Sequence, residues 1–195
     1  MGYGGGGSGI STPQTKILVL IEAFTAGGAG ASKVFNLPTA YDAGSEITEW
    51  LLVIDGSVTA ALELRMRING SGAAQYRSWG SRQIATTGAV TDLTTGIVAY
   101  NLLVDATALD AANLFFMGEV KLQVQNTGAP TGNYASMRSY FFTQGSASQF
   151  SQVMTGISDA LAVQETITSI EILTSTSTWR AGTRFWLYGI KRVDS

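Results

Sequence analysis

Ala61-Leu62-Glu63-Leu64-Arg65-Met66-Arg67-Ile68-Asn69 decides the fold class. Its period is two: Leu62, Leu64, Met66 and Ile68 fall on one side, and Glu63, Arg65, Arg67 and Asn69 on the other. That alternation is the pattern of a strand with one buried and one wet face. Val120-Lys121-Leu122-Gln123-Val124-Gln125 repeats it, as does Ile170-Glu171-Ile172. Further strands are read at 16–25, 32–37, 47–55, 96–104, 134–143, 149–155 and 183–192. Turn signals separate them at Gly27-Gly28, Asp55-Gly56, Asn69-Gly70, Asn126-Thr127-Gly128 and Gly145-Ser146. Asp55-Gly56 and Asn69-Gly70 carry the strongest hairpin chemistry, because both tolerate positive φ. Helical periodicity is confined to 105–113 and 156–163. About ten strands with such punctuation predict an all-β antiparallel β-sandwich or jelly-roll-like domain. It occupies residues 15–195, behind a Gly-rich N-terminal arm at 1–14, where Met1, Gly2, Tyr3 and Gly4 begin an attachment segment.

Composition narrows the chemistry. The 195 residues contain no cysteine and no histidine. Disulfides, thiolate metal sites and every histidine-dependent triad are excluded. The net charge is −2, so no basic field exists to hold nucleic acid. Charged residues make up 13% of the chain, about half the usual share. The apolar run Ile17–Phe24 is broken by Glu22 and too short to span a bilayer, so no membrane insertion is expected. The N-terminus lacks the basic start and apolar stretch of a signal peptide.

Few motifs carry chemistry. Gly2-x-Gly4-x-x-Gly7 matches a dinucleotide fingerprint only as any glycine run does, without the flanking strand and helix. Asn69-Gly70-Ser71 fits a glycosylation sequon but reads more simply as a turn. Asp55, Asp105, Asp110 and Asp159 fall near expected loops, where a carboxylate pair could serve a glycosidase, yet Asp is an ordinary turn and cap residue. No catalytic, cofactor or metal site is assigned. Tyr76-Arg77-Ser78-Trp79-Gly80-Ser81-Arg82 is the one polar-aromatic stretch suited to a ligand. Tyr76, Arg77, Trp79 and Arg82 are its candidate receptor or host-glycan contacts, on a loop at 70–82 facing outward.

Gly182-Thr183-Arg184-Phe185-Trp186-Leu187-Tyr188-Gly189-Ile190-Lys191 raises a separate question, because it has large apolar side chains on both faces. Phe115-Phe116 and Phe141-Phe142 must likewise each send one ring inward and one outward. Phe116, Phe142, Trp186, Tyr188 and Ile190 are candidates for a subunit interface. The final strand is expected at the sandwich core or the subunit seam, with Gly189 leaving room for another backbone or ring. This ending resembles the G-T-x-x-x-L-Y-G-[IL]-[KR] close of tailed-bacteriophage virion proteins, the β-sandwich modules of tail fibres, spikes and head fibres or decorations. Leu64 to Gly72, followed by Gln75-Tyr76, resembles the "L-R-hairpin-Y" segment of the same group, and the likeness spans residues 45–192. It implies a non-enzymatic virion component, assembled in the host cytoplasm. Such a component self-associates, with a trimer favoured, and docks on other virion proteins. An adhesin that binds a host surface glycan is the alternative.

Overall fold

The computed structural model describes residues 15–38, 47, 49–60, 63–72, 75–96, 98–105, 115–125, 134–144, 149–158, 167–175 and 178–193. The arm with Met1, Gly2, Tyr3 and Gly4 lies outside them. So do Asp110, Asp159, the 126–128 and 145–146 turn signals, and most of the two helical stretches. Among the described residues there is no helix.

Twelve strands are present: β1 (Thr15–Thr25), β2 (Ser32–Asn36), β3 (Glu49–Ser57), β4 (Leu64–Ile68), β5 (Tyr76–Ile84), β6 (Val90–Thr94), β7 (Asn101–Val104), β8 (Phe115–Gln125), β9 (Tyr134–Gln144), β10 (Gln149–Ser158), β11 (Ser169–Thr174) and β12 (Arg184–Val193). They form an antiparallel β-sandwich of two unequal layers. The larger sheet has eight strands, ordered β1-β12-β3-β8-β9-β10-β5-β6, and the smaller has four, ordered β2-β11-β4-β7. Leu64–Ile68 of the opening stretch form β4, with Leu64, Met66 and Ile68 buried, while Ala61 and Leu62 lie outside the described residues.

The core lies between the layers. Trp50, Leu52 and Ile54 of β3 enter it, with Phe116, Val120 and Leu122 of β8 and Phe185 and Leu187 of β12. At the β1/β12 end, Phe185 packs with its ring centroid 5.1 Å from Trp179, 5.8 Å from Phe35 and 5.9 Å from Phe24.

At the opposite end the interior is polar. β7 is hydrogen-bonded to β4 on one side only. Its free backbone groups meet side chains of the larger sheet. Leu102 N donates to Ser78 Oγ at 2.9 Å, and Leu103 O accepts from Ser139 Oγ and Gln152 Nε2 at 3.4 and 3.5 Å. Asp105 N donates to Gln152 Oε1 at 3.3 Å. A buried backbone group must find such partners, and here three side chains replace a neighbouring strand.

Two turn signals had different fates. Asn69 and Gly70 have φ of 49° and 66°, and Ser71 N donates to Ile68 O at 2.9 Å, so the tight turn forms as read. It leads from the smaller sheet into β5 of the larger one rather than closing a hairpin. Asp55-Gly56 is no turn but lies within β3. Gly56 is glycine for space, since a Cβ there would sit 2.5 Å from the Thr183 side chain. The 70–82 loop is also corrected, because residues 76–84 are strand β5. The helix read from 156 does not begin there either, since β10 runs on to Ser158.

The Tyr76 hydroxyl anchors the turn. It accepts from Ile68 N at 3.0 Å and Gln75 Nε2 at 3.2 Å, and lies 3.3 Å from both Ile68 O and Ser71 O. Burial pushes its pKa above the ordinary 10.0, partly offset by these hydrogen bonds and by Arg67. A raised folded-state value means that this contribution to stability is complete below about pH 10 and is lost as pH climbs through the folded value. Tyr76→Phe is expected to lower unfolding free energy by about 1–3 kcal/mol in urea titrations near neutral pH, because Ile68 N loses its acceptor. It should also shrink the loss of stability seen as pH rises above about 10.

Candidate interaction surface

The outer faces of the two sheets differ in kind. On the smaller sheet that face carries Arg65, Arg67 and Glu171, with Glu171 directly opposite Arg67. Arg65 pairs with Glu63 at 2.6 Å and lies 3.8 Å from the Tyr100 ring centroid. Burial, and after it the Glu63 charge, raises the Tyr100 pKa. Charges that satisfy one another in water describe a solvated face.

The larger sheet presents apolar rows instead. Tyr188 lies between Leu20 and Leu51, and Trp186 between Ala23 and Val53. Farther across, Met117 is opposite Phe142, and Tyr140 is opposite Val153. Phe115 is 65% exposed and Met117 59%, with Leu18 at 55%, Leu20 at 51% and Trp79 at 45%. One exposed aromatic is ordinary, whereas several large apolar side chains share this one sheet face. Each large apolar side chain covered there would contribute about 1.5–3 kcal/mol. Within the face lies a depression of about 290 Å³, lined by Glu49, Lys121, Gln123, Ser136, Arg138 and Ile190.

The expected interface residues sort unevenly. Phe142, Trp186, Tyr188 and Ile190 do lie on this outer face, half-buried by their sheet neighbours. Phe116 is corrected: it is 1% exposed in the protomer core, and Phe115 takes the outward position. The alternation of Val120, Leu122 and Val124, traced back along β8, was the signal that could have told them apart, since even-numbered residues face inward there. The room at Gly189 is taken by an aliphatic side chain rather than by a backbone or ring. That side chain is Ile47 of the same chain, 2.8 Å from where a Cβ would stand.

The expected ligand contacts also divide. Arg77 and Trp79 are exposed on the outer side of β5. Tyr76 is wholly buried, and Arg82 is 8% exposed and ion-paired with Asp105, so neither is available to a ligand. The inward parity of β5 takes Tyr76, Ser78 and Arg82 away from the surface. Of the carboxylates, Asp55 pairs with Arg184 and Asp105 with Arg82, each on its own arginine. Among the described residues no three acidic, His or Cys side chains gather where a metal ion could bind. Among them, too, no helix is long and apolar enough to cross a membrane.

Fold and surface thus define a class: a two-layer antiparallel β-sandwich whose larger sheet presents exposed apolar side chains among ion pairs on its outer face. Compared with protein-family models, curated proteins and solved structures, the chain matches none.

Proposed function

We propose that this protein is a non-enzymatic structural component of a tailed-bacteriophage particle, which binds other virion proteins by the outer face of its eight-stranded sheet. The single observation that carries the reading is the set of large apolar side chains on the outer face of the eight-stranded sheet, Phe115, Met117, Tyr140, Trp186 and Tyr188, set among the ion pairs Glu119–Lys121 and Asp55–Arg184. A surface built for association needs buried area and shape rather than a reactive group. The resemblance of the β12 strand and the Leu64–Tyr76 segment to phage virion modules supplies the setting.

The test is incorporation. Met117 is exposed in mid-face, so Met117→Lys should change the free protein's stability by no more than about 0.5 kcal/mol. The same substitution should sharply reduce the amount of protein recovered in purified particles, read by quantitative mass spectrometry. Wild-type protein absent from purified particles would sink the proposal.

A host-glycan adhesin is the second reading, supported by exposed Trp79 beside exposed Arg77, a ring and a cation of the kind sugar sites use. It predicts glycan-array binding that Trp79→Ala abolishes. An array without any signal would remove it.

A further inference from the structure

β1 is a long open edge. It pairs with β12 on one side and, among the described residues, with no strand on the other. The other sheet margins are guarded against added strands. β6 and β2 are only five residues each and carry Asp92 and Lys33. β7 has its free backbone groups taken by Ser78, Ser139 and Gln152. β1 instead runs for 11 residues. Its Ile17 is 45% exposed, and Leu18 and Leu20 more so. An unpaired apolar edge of this length is a template for another strand.

The sequence of the edge says which strand. Ile17-Leu18-Val19-Leu20-Ile21 reads the same in both directions, with Lys16 before it and Glu22 after it. In an antiparallel pair centred on Val19, Leu18 faces Leu20 of the second copy, Ile17 faces Ile21, and Val19 faces Val19. Apolar residues then meet apolar residues on both faces of the ladder. The Lys16 end of each strand also lies beside the Glu22 end of the other, whereas parallel pairing would set lysine on lysine. The bulge between Leu20 and Glu22 places Glu22 opposite inward-facing Leu187. Lys16 is already paired with Glu49 and Glu22 with Lys33 within the protomer, so the charges weigh little. A closed pair with both outer faces on one side requires the antiparallel direction, and the Ile17–Ile21 ladder ends before Glu22.

We propose that two copies join edge to edge through β1, antiparallel about a two-fold axis at Val19, so that their larger sheets run on as one. The axis stands normal to the sheet, so both apolar outer faces look the same way. This contact goes beyond the virion reading and substitutes a pair of copies for the trimer that the resemblance implies.

Val19→Lys and Val19→Glu test it on the full chain, with size read by light scattering and folding checked by circular dichroism and melting. The wild type should be dimeric. Each variant alone sets like charges across the axis and should self-associate about tenfold more weakly or worse. Mixed in equal amounts, the two variants should form a heterodimer. Should either variant fold poorly, Val19→Cys is the second probe. In a chain with 0 cysteines it should give a covalent dimer on mild oxidation, because cross-strand Cβ spacing suits a disulfide. A monomeric wild type, a trimer, or a dimer that neither charge affects and that Val19→Cys fails to cross-link would overturn the inference. Met117→Lys leaves β1 untouched, so loss of particle incorporation with pairing retained separates this contact from the virion reading.

Discussion

Phe185→Ala is expected to lower the unfolding free energy by about 3–5 kcal/mol, measured by urea or thermal denaturation of the isolated protein. Phe185 is wholly buried and touches the rings of Phe24, Phe35 and Trp179. Those partners come from β1, β2 and the segment before β12, so they span both layers. Truncation would leave a cavity that three stiff aromatic rings cannot close. Tyr188, on the other face of the same strand, is the control. It is only half-buried, so Tyr188→Ala should destabilise the monomer by clearly less. Equal losses at the two positions would mean that the sides of β12 have been assigned wrongly.

Asp105→Ala should rank beside it, at about 3–5 kcal/mol. The Arg82 and Asp105 side chains are 9% and 12% exposed, and their ion pair sits beneath β7 with Arg82 5.6 Å from the Phe150 ring centroid. Removing the carboxylate strands a guanidinium where water hardly reaches. Arg82→Ala should also destabilise, because the buried Asp105 carboxylate loses its guanidinium. The pair itself is worth far less than either loss, because both ions were dehydrated to form it. Arg82→Met combined with Asp105→Leu should therefore recover most of the stability, which a double-mutant cycle would show as strong coupling. Additive losses would mean that the two side chains act independently.

How much could be read beforehand followed from the range of each signal. Alternation is local, so β4, β8 and β11 were legible from Leu64-Arg65-Met66-Arg67-Ile68 and its two counterparts. Asp55-Gly56 misled because glycine has two uses: it permits a turn, and it admits a neighbour such as Thr183. The sequence cannot say which until the neighbour is known. Phe115-Phe116 showed that one ring must face outward, but assigning which needed the strand's parity carried over several residues. Tyr76 and Arg82 looked like surface recognition residues because aromatic and charged groups suit that purpose. Their partners, the Ile68 backbone and Asp105, lie 8 and 23 positions away. No short motif encodes the Arg82–Asp105 pair. The apolar face itself was legible as an excess of large side chains over places to hide them.

The β1–β12 ladder ties Thr15 to Val193. Nearly all of the intervening polypeptide must therefore emerge from the ribosome before β1 can find β12, its strand neighbour among the described residues. Contacts so remote in sequence make folding slow, since the entropy of closing the loop is lost before any bond repays it. Throughout that delay the Ile17–Ile21 run stands bare on both sides. Nascent chains crowded on one message would meet each other's β1 before their own β12, so a chaperone or brisk synthesis should govern the yield of correctly built protein.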